Sequence, residues 1–94
     1  MRDIFWTQRA VQDLDSIANQ LADNSPDFAV VVEEALLTAA DFLLVTSGAG
    51  SPVGASGVRK WSVARMPYIT LYRPRPHGIE ILRVRHAREN WFIP

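Results

Sequence analysis

Residues 68–88 read Tyr68-Ile69-Thr70-Leu71-Tyr72-Arg73-Pro74-Arg75-Pro76-His77-Gly78-Ile79-Glu80-Ile81-Leu82-Arg83-Val84-Arg85-His86-Ala87-Arg88. Two runs rich in Ile, Leu, Val and Tyr flank the breaker cluster Pro74 to Gly78, the pattern of two antiparallel strands joined by a loop. The second strand ends in a basic string, Arg83, Arg85, His86 and Arg88. Side chains alternate along a strand, so Arg83 and Arg85 share a face. The hairpin that should centre the sheet therefore also presents a cationic surface.

Working outward, Val58 to Arg65 reads as the strand before this hairpin, with Arg59, Trp61, Val63 and Arg65 on one face and Met66-Pro67 as the turn into Tyr68. Before it, Ser47 to Gly57 holds four of the five glycines and no periodic pattern, and is expected to be a long flexible connector. It matches no phosphate-binding fingerprint.

The first half is helical. Asp3 to Trp6 reads as a short strand, after which Thr7 offers an N-cap oxygen to a helix whose Val11, Leu14, Ile17, Ala18 and Leu21 recur at three- and four-residue steps. Ser25-Pro26-Asp27 ends that helix and opens another, with Ser25 as cap, Pro26 at the first helical position and Asp27 in the first turn. The second helix, Pro26 to about Leu44, carries Phe28, Val32, Ala35, Leu36, Ala39, Phe42 and Leu43 on one stripe, widened by Val30, Val31, Leu37 and Ala40. A helix this apolar is expected to be covered on two sides, or to keep one side open for a partner. The order is β-α-α-β-β-β, an α+β fold with a two-helix hairpin on a small antiparallel sheet.

At 94 residues without cysteine, one domain must hold through its core alone, with no disulfide or thiolate metal site. No apolar run is long enough to span a membrane, and Met1-Arg2-Asp3 opens no signal peptide, so a cytoplasmic protein is expected. The net charge of zero conceals a division. Residues 1–48 carry two basic against eight acidic side chains, a net of −6, and residues 49–94 the reverse, +6. Either the second half has an acidic partner, nucleic acid or peptide, or acidic helices lie beside a basic sheet. His77 and His86 stand nine positions apart with no His or Cys beside them, so no metal site is expected. Neither is a cofactor. His77 reads as a solvated loop residue, and His86 as an acid/base group or a structural hydrogen-bonding one. The tail Glu89 to Pro94, with Trp91, Phe92 and Ile93, is apolar enough to pack back on the domain or to dock elsewhere.

In order and spacing, Trp6-Thr7, Ala10, Asp13-Leu14 and Ile17, then Ser25-Pro26 and Ala29, then Arg65, Tyr68, Tyr72-Arg73, Ile79 to Val84 and His86 resemble the RelE/ParE superfamily of type II toxin-antitoxin toxins. The Gly/Ser/Ala loop replaces the usual Pro and Gly after the second helix. RelE-like mRNA endonucleases typically carry an Arg after the first Tyr of Tyr-x-x-x-Tyr, where this chain has Ile69, and many use a C-terminal Tyr, where it has Trp91 and Phe92. The resemblance therefore implies the ParE branch: a non-enzymatic inhibitor of DNA gyrase, forming a hetero-oligomer with a cognate antitoxin whose acidic amphipathic segment lies along helices and sheet. Candidate target- or antitoxin-binding residues are Arg59, Lys60, Trp61, Arg65, Arg83, Arg85, His86, Arg88, Trp91 and Phe92. The alternatives are a RelE-like nuclease using His86, Arg83 and Arg65 with Arg59 and Lys60, and an antitoxin-binding relic without toxicity.

Overall fold

The computed structural model describes residues 3–88. Their order is β1 (Asp3–Trp6), α1 (Gln8–Asn24), α2 (Pro26–Val45), β2 (Ser51–Pro52), β3 (Arg59–Ser62), β4 (Tyr68–Arg75) and β5 (Gly78–His86). The strands form one sheet in the order β1-β5-β4-β3-β2, with both helices against one face. The α+β class and the helical hairpin are as expected, but the sheet is mixed. β1 pairs with β5 in parallel, Asp3 opposite Gly78 through Trp6 opposite Ile81, while the other pairs are antiparallel. Parallel neighbours need a long crossover, and here the rest of the fold supplies it.

Thr7 explains how α1 is hung on the sheet. Its hydroxyl oxygen accepts from the Ala10 N–H at 3.1 Å as N-cap, and the same hydroxyl donates to the Leu82 carbonyl at 2.9 Å. Its own N–H donates to the Ile81 carbonyl, so the strand-to-helix junction is tied to the middle of β5. Ser25 caps α2 by position, with Pro26 following as expected, but its side chain makes no cap hydrogen bond.

β5 is irregular at this point. Leu71 stands opposite Arg83 and the next residue, Tyr72, opposite Ile81, so Leu82 is the extra residue of a bulge. Odd-numbered Ile79 and Ile81 face the helices before it, and even-numbered Val84 after it. The helix-side core joins them to Ala10, Val32, Leu36, Leu43, Val63 and Tyr72. The far face has a smaller cluster, Val58, Ile69 and Leu71, with Leu82 and Val53 against it. Val53 comes from the loop expected to be a flexible connector. That loop instead contributes β2 and covers part of the far face.

The hairpin turn is tighter than the Pro/Gly cluster indicates, because Pro74 and Arg75 still pair with Ile79 and Gly78. Gly78 has φ +152, and a Cβ there would run into the backbone of Asp3. A glycine is what lets β1 approach so closely.

Candidate functional site

The second helix is not covered on two sides. Ala29, Val32, Leu36, Ala39, Ala40 and Leu43 are buried, whereas Phe28, Val30, Val31, Leu37, Phe42 and Val45 are exposed, Val30 at 57% and Val45 at 73%. The stripe containing Phe28 and Phe42 was expected to be core, and these two rings stand outside it. Val11 of α1 is exposed as well. Such a surface on a small protein is characteristic of an interaction site.

Part of this apolar side forms a groove of about 450 Å³ between α2 and β3. Val31, Ala35, Ala39 and Phe42 line one wall, and Trp61 and Val63 the other. Phe42 and Trp61 form a tilted ring pair with centroids 5.2 Å apart. Beside the groove the acidic side chains Asp27, Glu33, Glu34 and Asp41 are exposed along α2.

The candidate cations do not converge on one centre. Arg83 makes a two-pronged pair with Asp13 of α1, Nε to Oδ2 at 2.8 Å and an Nη to Oδ1 at 3.0 Å. Asp13 also accepts the Val84 N–H at 2.9 Å, where β5 runs beyond the end of β1. This pair joins the acidic helices to the basic sheet, so the charge division is matched internally at this point. The remaining acidic helix residues Asp15, Asp23, Asp27, Glu33, Glu34 and Asp41 face solvent.

Arg59, opposite Tyr72 in the sheet, donates to the carbonyls of Gly48 and Gly50. Its role is to hold the loop. Trp61 stands on the helix side, opposite Thr70, while Lys60 shares a far-face row with Leu71 and Arg83. Arg85 stands in the next row, opposite Ile69. Arg73 and Arg75, not among the candidates, both lie against Glu80.

Arg65 was expected on the face of a strand, but β3 ends at Ser62 and Arg65 lies exposed in the turn that follows, at φ 64. A side chain in this left-handed region costs about 1–2 kcal/mol relative to ordinary backbone. The turn is closed by Val63 N–H to the Tyr68 carbonyl, and Ala87 N–H donates to the Pro67 carbonyl. Arg65, His86 and Arg88 are thereby brought to the same end of the sheet. The His86 ring meets Tyr68 edge-on at 5.7 Å, and its Nδ1 accepts the Arg88 N–H at 3.1 Å. Trp91 and Phe92 lie outside the described residues.

Two features were missed in the sequence. One is the pairing of Asp13 with Arg83; Asp13 directly precedes Leu14 and so borders the buried stripe. The other is Tyr72, fully buried, whose hydroxyl donates to the Ser47 carbonyl at 2.7 Å and accepts the Gly50 N–H at 2.9 Å. Gly50 has no room for a Cβ, which would come within 2.7 Å of both Tyr72 and the Lys60 carbonyl. A tyrosine directly after Leu71 in the strand expected to centre the sheet was the available signal, since a buried hydroxyl needs a partner.

Comparison with known proteins agrees with this arrangement. Residues 4–91 match the family of the ParE toxin of the type II toxin-antitoxin system parDE. The chain is 36% identical over 88 residues to the Sinorhizobium fredii (strain NBRC 101917 / NGR234) protein named "Putative toxin Y4kP", covering 94% of this chain and 91% of that one. It also superposes on a chain of the chromosomal ParDE TA system from P. aeruginosa with a TM-score of 0.79 and 28% identity, covering 92% of this chain and 96% of the other. With its helical hairpin, mixed sheet and basic last strand, the chain belongs to the ParE toxin family of type II toxin-antitoxin systems.

Proposed function

We propose that this toxin acts by binding DNA gyrase, without catalysing a reaction of its own, and that a cognate antitoxin neutralises it by lying along the helices and sheet. The observation that carries the non-catalytic reading is the state of the would-be nuclease groups. Ile69 occupies the position of the RelE cation and is buried in the far-face cluster. Arg83 is engaged by Asp13, and His86 Nδ1 by its own backbone. An enzyme that opens an RNA chain has to activate a 2′-hydroxyl and stabilise a pentacovalent phosphate, which calls for converging acid, base and cations. These residues are spread over two faces and a turn.

The open side of α2 supports the antitoxin reading. An amphipathic helix can bury its apolar side on Val30, Leu37 and Val11, and an acidic extended segment can follow the cations of the sheet. The target-facing residues of this reading are Arg65, Arg85, His86 and Arg88, at one end of the sheet, together with Trp91 and Phe92 of the C-terminal segment. Arg65 is the foremost of these, because an exposed arginine held in a costly backbone conformation is better explained by a contact than by packing.

A purified gyrase supercoiling assay, run beside a ribosome and mRNA cleavage assay, tests the proposal. Loss of supercoiling with accumulation of cleaved DNA, and intact mRNA, is the expected result. Cut mRNA with unaffected gyrase, abolished by His86→Ala, would replace it with the nuclease reading.

A further inference from the structure

Three carboxylates, Asp27, Glu34 and Asp41, stand in a row along the open apolar side of α2. We propose that the segment docking on this side is a cationic amphipathic helix, with Lys or Arg at two-turn intervals set against the three carboxylates and its apolar stripe in the α2–β3 groove. This assignment rests on the reading that the antitoxin covers α2, and it makes the antitoxin's charge change sign along its length, cationic on the helix and acidic along the sheet.

Position carries the first part. Asp27, Glu34 and Asp41 follow one another at seven-residue steps, and all three are exposed. Seven residues fall about 20° short of two full turns, so the carboxylates form a nearly straight row with steps of about 10.5 Å. Helical order puts Val31 and Phe42 on one side of the row, at the groove, and Val30 and Leu37 on the other. Glu34 itself lines the groove. The row therefore runs through the exposed apolar surface rather than around its rim.

Chemistry carries the second part. Asp27 suits the first turn of a helix, but Glu34 and Asp41 gain nothing from the macrodipole, Asp41 standing just ahead of a last turn that carries no base. Among the described residues the ion pairs join arginines to Asp13 and Glu80, and none of them involves this row. Over both helices Asp15, Asp23, Asp27, Glu33, Glu34 and Asp41 are exposed against a single exposed base, Arg9. A partner that brought only apolar side chains here would remove water from the carboxylates without replacing it. A second copy presenting the same face would set a like row opposite, which is repulsive. A partner helix has the same rise as α2, so a Lys or Arg every seven residues beside its apolar stripe meets the row in register. The alkyl stems of those side chains then cover apolar surface on either side of the row.

Two synthetic helical peptides test this. Both carry the same apolar stripe, and the flanking positions seven residues apart are Lys in one and Glu in the other. In a calorimetric titration at low salt the Lys peptide should bind at least about tenfold more tightly, and the ratio should approach one at about 1 M salt. Glu34→Lys/Asp41→Lys should abolish or reverse the preference, whereas Asp15→Lys/Asp23→Lys, the same change of charge on α1, should leave most of it. All four positions are exposed, so both variants should keep the stability of the parent. Equal titration of the two peptides, weak or strong, would overturn the proposal, and so would a preference lost equally in both variants, which is an effect of net charge alone. A dimer in sedimentation that Val30→Ser dissociates would overturn it as well, by making a second copy the occupant. Titration with the antitoxin itself separates this proposal from the reading beneath it. If Leu37→Ser weakens binding and Glu34→Lys/Asp41→Lys does not, the antitoxin lies on α2 but is not cationic there. If neither variant weakens binding, the antitoxin does not cover α2 and both fall.

Discussion

The two helices lie against the same sheet, yet they spend their apolar residues differently. In α1, Leu14, Ile17 and Leu21 turn toward the core, and most of the rest of the surface is polar. In α2 the apolar residues surround the axis, and about half of the large ones face solvent. The polar anchors follow the opposite distribution. Thr7 and Asp13, at and near the start of α1, bond directly to β5, whereas α2 is held by packing. α1 is thus an element of the fold, and α2 is fold on one side and exposed apolar surface on the other.

The comparison is broken most severely by removing packing from the inner side of α2. Leu36 and Leu43 are at most 2% exposed, so Leu36→Ala or Leu43→Ala should destabilise by about 2–5 kcal/mol, read as a shift in the urea midpoint at unchanged slope. A loss below about 1 kcal/mol would mean that the helix is not held by this side.

On α1 the corresponding test is electrostatic. Asp13→Ala removes two bonds to Arg83 and one to the Val84 N–H, leaving the guanidinium without this carboxylate in a half-covered position. Allowing for solvent screening of a pair that is partly exposed, the expected cost is about 1–3 kcal/mol. The Asp13→Ala/Arg83→Ala double variant should recover part of it, and strict additivity would show that the pair is not coupled.

The loop after α2 extends the same division. Tyr72→Phe deletes the hydroxyl that bonds Ser47 and Gly50, at an expected cost of about 1 kcal/mol. Hydrogen exchange should accelerate at the Gly50 amide more than at amides of β5. If the two respond alike, the loop is not a separate unit latched by this hydroxyl.

What was legible in the sequence had a local cause. Thr7 before an apolar period, Pro26 after Ser25 and the Pro74–Gly78 cluster mark element ends through interactions only a few residues long. The antiparallel meander of β3, β4 and β5 followed from adjacency. The parallel pairing of β1 had no such mark, because its partner lies some 75 residues away. The same distance hid the Asp13–Arg83 pair, and with it the reason why Arg83 is less a surface cation than its place in a basic string implies. Periodicity identified the apolar residues of α2 but not which of them would be covered. It assigned Phe28 and Phe42 to the core because a stripe has no information about where the sheet ends. Arg65 failed for a related reason: alternation continues in the letters past Ser62, while the backbone turns.

The smallest stability effect is expected where the largest binding effect is. Val30 and Leu37 lie on the outer side of α2, both exposed and seven residues apart, so that about two turns of helix carry them on one line. Val30→Ser and Leu37→Ser should each change stability by no more than about 0.5 kcal/mol, since these side chains keep much of their contact with water on folding. In a complex with the antitoxin the same side chains would be buried, and each truncation should then weaken binding about tenfold, or about 1.4 kcal/mol, in a calorimetric titration. The two measurements constrain each other. A variant that loses binding and stability together reports a defect in the fold, and one that loses neither leaves the outer side of α2 without a role in the complex. Loss of binding at unchanged stability is the outcome that separates the two sides of this helix.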